Sequence, residues 1–272
     1  MYLDLSFPVV MGVMNITDDS FYDGGRYLSE AAVHRRIETM IEEGAAIIDI
    51  GAVSTRPGST AIPAEYEIAI LQPVIQWIEK NYPDTLISVD TFRSQVALSA
   101  AESGAHIIND ISGGTMDERM AETMAGMDLA YVMMHIQGTP ETMQINPVYE
   151  DVTREVMQFF DRQLEKFTLT GKSNIILDPG FGFGKTIAHN YELLGNLGAF
   201  SRYPYPVLAG LSRKSLIYRS LNITPDEALN GTTVLNTIAL LNGANILRVH
   251  DVKQAVETIK LITILKESNR NN

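Results

Sequence analysis

A chain of 272 residues that is 45% hydrophobic and 20% charged is too apolar for disorder and long enough for one or two packed domains. Its 21 Lys and Arg against 33 Asp and Glu give a net charge of −12, a field that repels phosphate backbones and anionic lipid surfaces. The absence of cysteine excludes disulfides, thiolate metal sites and Cys nucleophiles, leaving oxygen and imidazole as metal ligands.

No stretch approaches about 18 uninterrupted apolar residues, and the N-terminus lacks a charged segment followed by an apolar run and a small-residue cleavage site. The sequence therefore predicts a soluble, untargeted cytoplasmic protein.

Short apolar runs rich in Val and Ile recur at 9–15, 46–51, 86–91, 107–112, 130–136, 174–180, 206–212 and 246–251. They do not alternate, so they read as parallel strands buried on both faces. A helical pattern follows each. In the first helix Val33, Ile37, Met40 and Ile41 share a face that excludes Glu38, Glu42 and Glu43, and in the last Val252, Val256, Ile259 and Ile262 do the same. Ser29 with Glu30, and Thr224-Pro225-Asp226-Glu227, read as helix starts; Gly44 and Gly104 read as helix ends.

Eight β-then-α units predict one (β/α)₈ barrel over residues 1–272, with 268–272 as a frayed tail. A doubly wound sheet is the alternative, but it needs a Gly-rich turn after the first strand. That position reads Met14-Asn15-Ile16-Thr17-Asp18-Asp19-Ser20.

A barrel places its active site at the C-terminal ends of its strands. Those ends supply Asn15, Asp49, Asp90, Asn109 with Asp110, His135, Asp178, Ser212 with Arg213 and Lys214, and Arg248 with His250. Each alone could be a turn or helix cap. Together they define a site, because gathering carboxylates, amides and cations at one end is costly without a ligand.

Asp90, Asn109 and Asp178 suit a flat heterocycle with an amino-imino edge. Lys214, Arg248 and His250 sit on strands seven and eight, where barrels commonly bind phosphate. The predicted substrate is a heterocycle joined to a phosphate. Two long loops, 16–28 and 52–64, carry further polar residues, among them Asp23, Thr55 and Arg56, and read as lids or clamps.

The run Pro179-Gly180-Phe181-Gly182-Phe183-Gly184-Lys185-Thr186 does not fit a nucleotide loop, since Pro179 and Lys185 stand where glycines would be required. It reads as a tight turn with Phe183 as an aromatic wall. His34, His106 and His189 read as surface or capping residues, and His135 as either packing or supporting the site. No helical His-Glu metal motif is present, so Mg²⁺ shared with substrate phosphates is a better expectation than zinc.

The segments Met11-Gly12-Val13-Met14-Asn15-Ile16-Thr17, Asp19-Ser20-Phe21, Asp23-Gly24-Gly25 and Ser54-Thr55-Arg56-Pro57-Gly58 resemble the opening signatures of the dihydropteroate synthase family. The resemblance continues in order through Ser88-Val89-Asp90-Thr91, Ile108-Asn109-Asp110, Met134-His135, Asp178-Pro179-Gly180-Phe181-Gly182-Phe183, Ser212-Arg213-Lys214-Ser215 and Arg248-Val249-His250-Asp251. It implies a barrel enzyme of folate biosynthesis that joins 6-hydroxymethyl-7,8-dihydropterin diphosphate to p-aminobenzoate and releases diphosphate.

By that resemblance Asp90, Asn109, Asp178 and Lys214 would hold the pterin, with Met134 and Arg248 beside it. Arg248, His250 and Asn15 would hold the diphosphate, Asn15 through Mg²⁺. Asp23, Thr55, Arg56 and Pro57, with Phe183 and Ser215, would close over p-aminobenzoate. Asp23, Lys214, Arg248 and His250 would carry the chemistry, and the protein would be a homodimer joined through helices far from the loops. Two positions depart from the family pattern: Asp18 stands where Pro is usual, and Ala52-Val53 where Gly-Glu is usual. A pterin-binding methyltransferase domain and a catalytically silent scaffold are the competing readings; neither needs a diphosphate site.

Overall fold

The computed structural model describes residues 5–16, 26–52 and 62–270. Eight parallel strands alternate with helices: β1 (Val9–Asn15), α1 (Arg26–Glu42), β2 (Ile47–Gly51), α2 (Ala64–Asn81), β3 (Leu86–Asp90), α3 (Ser94–Glu102), β4 (Ile107–Asp110), α4 (Met120–Ala125), β5 (Ala130–Met134), α5 (Val152–Leu169), β6 (Ile175–Asp178), α6 (Ile187–Gly195), β7 (Leu208–Ala209), α7 (Ser215–Leu221), α8 (Leu229–Leu241), β8 (Ile246–Val249) and α9 (Val252–Arg270). The sheet order is β6-β5-β4-β3-β2-β1-β8-β7, and a parallel bridge between Leu177 and Val207 joins its two ends. This is the (β/α)₈ barrel expected, and the doubly wound alternative is overturned by that closure.

Two apolar clusters follow from the period-two alternation of side chains along a strand. Met11, Ile47, Leu86, Ile107, Val132, Ile176, Leu208 and Ile246, one from each strand, form a separate core. Residues one step along the strands, such as Val10, Ile48, Ile87, Ile108, Tyr131, Ile175 and Leu247, belong instead to the larger core that includes the helix residues Val33, Ile37 and Val252. Two residues beyond the eight-residue layer, the same alternation brings Asp49, Ser88, Asn109, Met134, Asp178 and Arg248 to one level. The strands therefore do alternate, but between two buried environments, and the polar residues enter only at the C-terminal end.

Several boundaries move from their sequence positions. β7 shrinks to two residues because Pro206, which lacks an N–H, cannot donate to the ladder; its carbonyl still accepts from Leu177 N at 2.9 Å. The β7–β8 crossover carries an additional helix, since Asn222 at φ 53° ends α7 and the Thr224–Glu227 capping box opens a 3₁₀ turn before α8. α1 begins at Arg26, which places Ser29 inside it rather than at its start, and α9 continues to Arg270 where a frayed tail is expected. Gly44 and Gly104 end their helices at φ 99° and 106°. Among the described residues no helix is long and apolar enough to cross a membrane.

Candidate active site

Strand register assembles the site. Asp90 lies beside Asn109 in the β3–β4 ladder, Met134 beside Asp178 in β5–β6, and Arg248 beside Met11 in β8–β1. Arg248 then reaches across the barrel mouth: its Nε donates to Asp49 Oδ2 at 2.7 Å and an Nη2 to Asp90 Oδ2 at 2.9 Å. Against the desolvation of this site, the two carboxylates hold the guanidinium above its ordinary pKa. Burial, reinforced by the neighbouring Asp49, pushes Asp90 up to about 7 despite Arg248.

Asp178 accepts the Gly180 N–H on Oδ1 at 2.8 Å. Burial raises its pKa against the pull of Lys214. A carboxylate whose charge is under-compensated in this way is poised for donors from a ligand. Lys214 stands at the N-cap position of α7 without a side-chain capping bond, donates to the Phe181 carbonyl at 2.5 Å and lies 4.8 Å over the Phe183 ring. Desolvation, aided by Arg248, lowers it to about 8 even though Asp178 is near. Lys214 thus belongs with the carboxylates and the aromatic wall, on the side to which the family resemblance assigned it, whereas its strand position alone grouped it with Arg248 and His250.

The wall itself is apolar. Ile111, Met134, Ile136 and Met143 form a distinct cluster against which Phe92, Met116 and Phe183 pack. The Gly-rich run is the tight turn expected: Gly180, Gly182 and Gly184 all have positive φ, and a Cβ on Gly180 would stand 1.9 Å from the His135 carbonyl oxygen.

At the rim His250 is exposed, but its Nδ1 lies 3.1 Å from Ser212 Oγ, which also accepts the His250 backbone N–H at 3.2 Å. Desolvation of the ring and then the Arg248 charge lower its pKa to about 4, so the free imidazole is neutral near pH 7. Arg213 forms a two-bond pair with Asp251, Nε to Oδ2 at 2.9 Å and Nη2 to Oδ1 at 2.8 Å, which ties the β7 and β8 loops together. Ser215 opens α7 next to Lys214, and Asn15 ends β1 exposed.

Asp23, Thr55, Arg56 and Pro57 lie outside the described residues, as do Asp18 and Val53. His189 takes part in a capping box with Thr186, as expected, whereas His106 Nδ1 accepts from Ile87 N and His34 stacks on Trp77 at 3.8 Å, so these two are half-buried packing residues and not surface or capping ones. His135 supports the site indirectly, through a bond to Lys185.

Sequence reasoning left two groups without a role. Asp49 appeared only as one strand end among eight, although its fully apolar neighbours Ile48 and Ile50 mark it as a deliberate buried charge. Lys185 was hidden in the motif rejected as a nucleotide loop.

Polar acceptors, cations and an apolar wall at the mouth of a closed barrel define a small-molecule enzyme of the (β/α)₈ class. Residues 11–250 match the family model described as pterin binding enzyme. The dihydropteroate synthase of Escherichia coli is 42% identical over 271 residues, covering 99% of this chain and 95% of that protein. That of Haemophilus influenzae is 42% identical over 95% of this chain and 94% of that protein.

Two solved structures agree with the fold. Yersinia pestis dihydropteroate synthase in a sulfonamide drug complex superposes with a TM-score of 0.91 at 38% identity, covering 97% of this chain and 96% of that one. Xanthomonas albilineans dihydropteroate synthase with 4-aminobenzoic acid gives 0.90 at 36% identity, covering 97% and 95%. The chain belongs to the pterin-binding enzymes and, within them, to the dihydropteroate synthases, transferases of folate biosynthesis. The methyltransferase and silent-scaffold readings give way to these matches.

Proposed function

We propose that one domain spanning 1–272 condenses 6-hydroxymethyl-7,8-dihydropterin diphosphate with p-aminobenzoate, giving 7,8-dihydropteroate and diphosphate. The observation that carries this reading is the set Asp90, Asn109 and Asp178, three acceptor-bearing side chains on strands β3, β4 and β6. Each keeps one oxygen that accepts no hydrogen bond from the described residues. A pterin presents amino and ring N–H donors along one flat edge, and its face fits against Met134 and Phe183.

Arg248 has Nη1 and one Nη2 proton left after its two carboxylates, and His250 stands at the same rim; both suit the diphosphate. Ser212 has one hydroxyl proton to give to His250 Nδ1, an arrangement that favours a proton on Nε2, available to an anion. Lys214 balances Asp178 on the pterin side. Ser215 and Phe183 offer one side of a place for p-aminobenzoate, which by the family resemblance Asp23, Thr55, Arg56 and Pro57 would complete.

Among the described residues no three His, Cys, Asp or Glu gather at one point, and Asn15 offers a single amide oxygen. Such a donor set fits Mg²⁺ held by one protein oxygen, water and substrate phosphates. When bound, Mg²⁺ would neutralise charge on the diphosphate.

The reaction is substitution at the exocyclic methylene. The C–O bond breaks heterolytically with its electron pair leaving on the diphosphate, while Arg248 and His250 stabilise the developing charge. Asp23, which lies outside the described residues, would by the family resemblance stabilise the positive methylene; the amine lone pair of p-aminobenzoate closes the new C–N bond, and the amine proton passes to solvent. A neutral aryl amine is already nucleophilic, so no strong base is needed and the substitution is dissociative.

The cytoplasm is the compartment this reading assigns to the protein. A homodimer through helices far from the loops accords with the large apolar side chains left exposed on helices, among them Ile187, Tyr191, Leu221, Val234, Leu241 and Leu261. Light scattering of the wild type and Val234→Glu checks it; a monomeric wild type would remove the dimer.

Mg²⁺-dependent diphosphate release, measured with and without p-aminobenzoate, tests the activity. Release that rises with p-aminobenzoate and yields dihydropteroate is expected. Tight pterin binding without release would reduce the protein to a pterin-binding barrel.

A further inference from the structure

We infer that Asp49 is the positioning residue that determines which edge of a heterocycle the site reads, by holding the Asn109 amide in one orientation and the Arg248 guanidinium in one plane. The inference rests on the reading of Asn109 and Arg248 as pterin-site residues.

Asp49 is fully buried in the middle of β2 and takes donors from three other strands. Ser88 Oγ donates to Oδ1 at 2.6 Å, Asn109 Nδ2 to Oδ2 at 3.1 Å, and Arg248 Nε to the same Oδ2 at 2.7 Å. An asparagine amide has two ends of nearly equal shape, a double donor and a double acceptor, and only its partners decide which points where. With Oδ1 taking the Ser88 hydroxyl and Oδ2 taking both Asn109 and Arg248, the Asp49 carboxylate acts here only as an acceptor. Asp49 therefore obliges Asn109 to turn its NH₂ inward, and the carbonyl is left to accept from a ligand N–H.

The reverse orientation would set Asn109 Oδ1 against a buried carboxylate oxygen and leave its NH₂ toward the ligand, which would select an acceptor edge instead. A buried, fully paired group acts here only through its neighbours, since substrate cannot reach it. Arg248 is constrained by the same oxygen: with Nε on Asp49 and Nη2 on Asp90, rotation of the guanidinium about its stem is blocked. One carboxylate thus sets the polarity of the pterin edge and the direction of the cation beside it.

Asp49→Asn tests this with almost no change in volume, because the new amide can satisfy Asn109 in either orientation. Calorimetry with free 6-hydroxymethylpterin should show Kd raised about 10–100-fold, while KM for p-aminobenzoate changes less than about threefold. In an Asn109→Ala background most of that loss should disappear, because the amide through which Asp49 acts is gone.

Losses that simply multiply in the double variant, or an unchanged Kd in Asp49→Asn, would overturn the role of Asp49. An unchanged Kd in Asn109→Ala alone would instead sink the assignment of the pterin site, and the inference with it. If Asp49→Asn does not fold, Ser88→Ala removes one of the three donors and leaves the carboxylate. It should raise Kd about threefold, again only while Asn109 is present.

Discussion

Lys185 Nζ lies 2.9 Å from His135 Nδ1, so two basic side chains fifty positions apart share a buried hydrogen bond beneath the aromatic turn. The same Nζ donates to the carbonyls of Gly180 at 2.9 Å and Phe183 at 3.1 Å. Desolvation lowers Lys185 to about 7 against the attraction of Asp178, and desolvation followed by the nearby Lys185 keeps His135 well below its ordinary range. The pair locks the turn that presents Phe183 and the Gly180 N–H bound to Asp178.

Lys185→Met should cost about 2–4 kcal/mol, because His135 Nδ1 and the Gly180 and Phe183 carbonyls lose their hydrogen-bond partner, and should weaken pterin binding through the displaced turn. The cost should depend on pH. Lys185 has a folded pKa near 7, below its unfolded value near 10.5, so the unfolded chain binds more protons between the two. Its contribution is greatest above about 10.5 and is lost as pH falls through about 7. Urea denaturation of wild type and variant from pH 7 to 10 should show their stability gap widening with pH; a constant gap would contradict the depressed pKa.

Asp178→Asn should weaken pterin binding about 100-fold or more, since one acceptor oxygen becomes a donor facing a donor edge. The fold should survive, because the new amide can keep its carbonyl on the Gly180 N–H. Calorimetry with the free pterin, alongside a thermal melt, separates the two effects. Unchanged affinity would remove Asp178 from the site.

Arg248→Ala strands two carboxylates, Asp49 and Asp90, and should destabilise the fold by about 3–5 kcal/mol. Binding should suffer more for the diphosphate substrate than for the free pterin, because Arg248 presents its remaining N–H groups to the anion. Equal losses for both ligands would put the diphosphate elsewhere.

His250 should stay neutral well below pH 6 in the free protein, a prediction that NMR titration of its ring signals can check directly. Its folded pKa, near 4, lies below the unfolded value of about 6.5, so its contribution to stability is present above about 6.5 and is lost as pH falls through 4. Diphosphate should raise the ring pKa and take up a proton on binding. Calorimetry at pH 5–6 in buffers of differing ionisation enthalpy measures that uptake, and none at any pH would exclude His250 from the anion site.

The number of strands, their order and the end at which polar groups collect are legible in the sequence. Apolar runs without external alternation must be buried on both faces, and Asp90, Asn109, Asp178 and Arg248 stand out because charges and amides are costly there without partners. Which of these groups pair was decided only by tertiary structure. Arg248 meets Asp49 and Asp90 across a closed barrel, at sequence separations of 199 and 158, and no local spacing encodes that meeting. Strand position alone sets Lys214 among cations; the family resemblance already put it with the pterin residues, and the barrel shows why by setting it against Asp178 and Phe183. Composition and periodicity determine that a residue is buried; barrel closure and strand register determine what it is buried against, and in a low-dielectric site that partner sets its charge and its role.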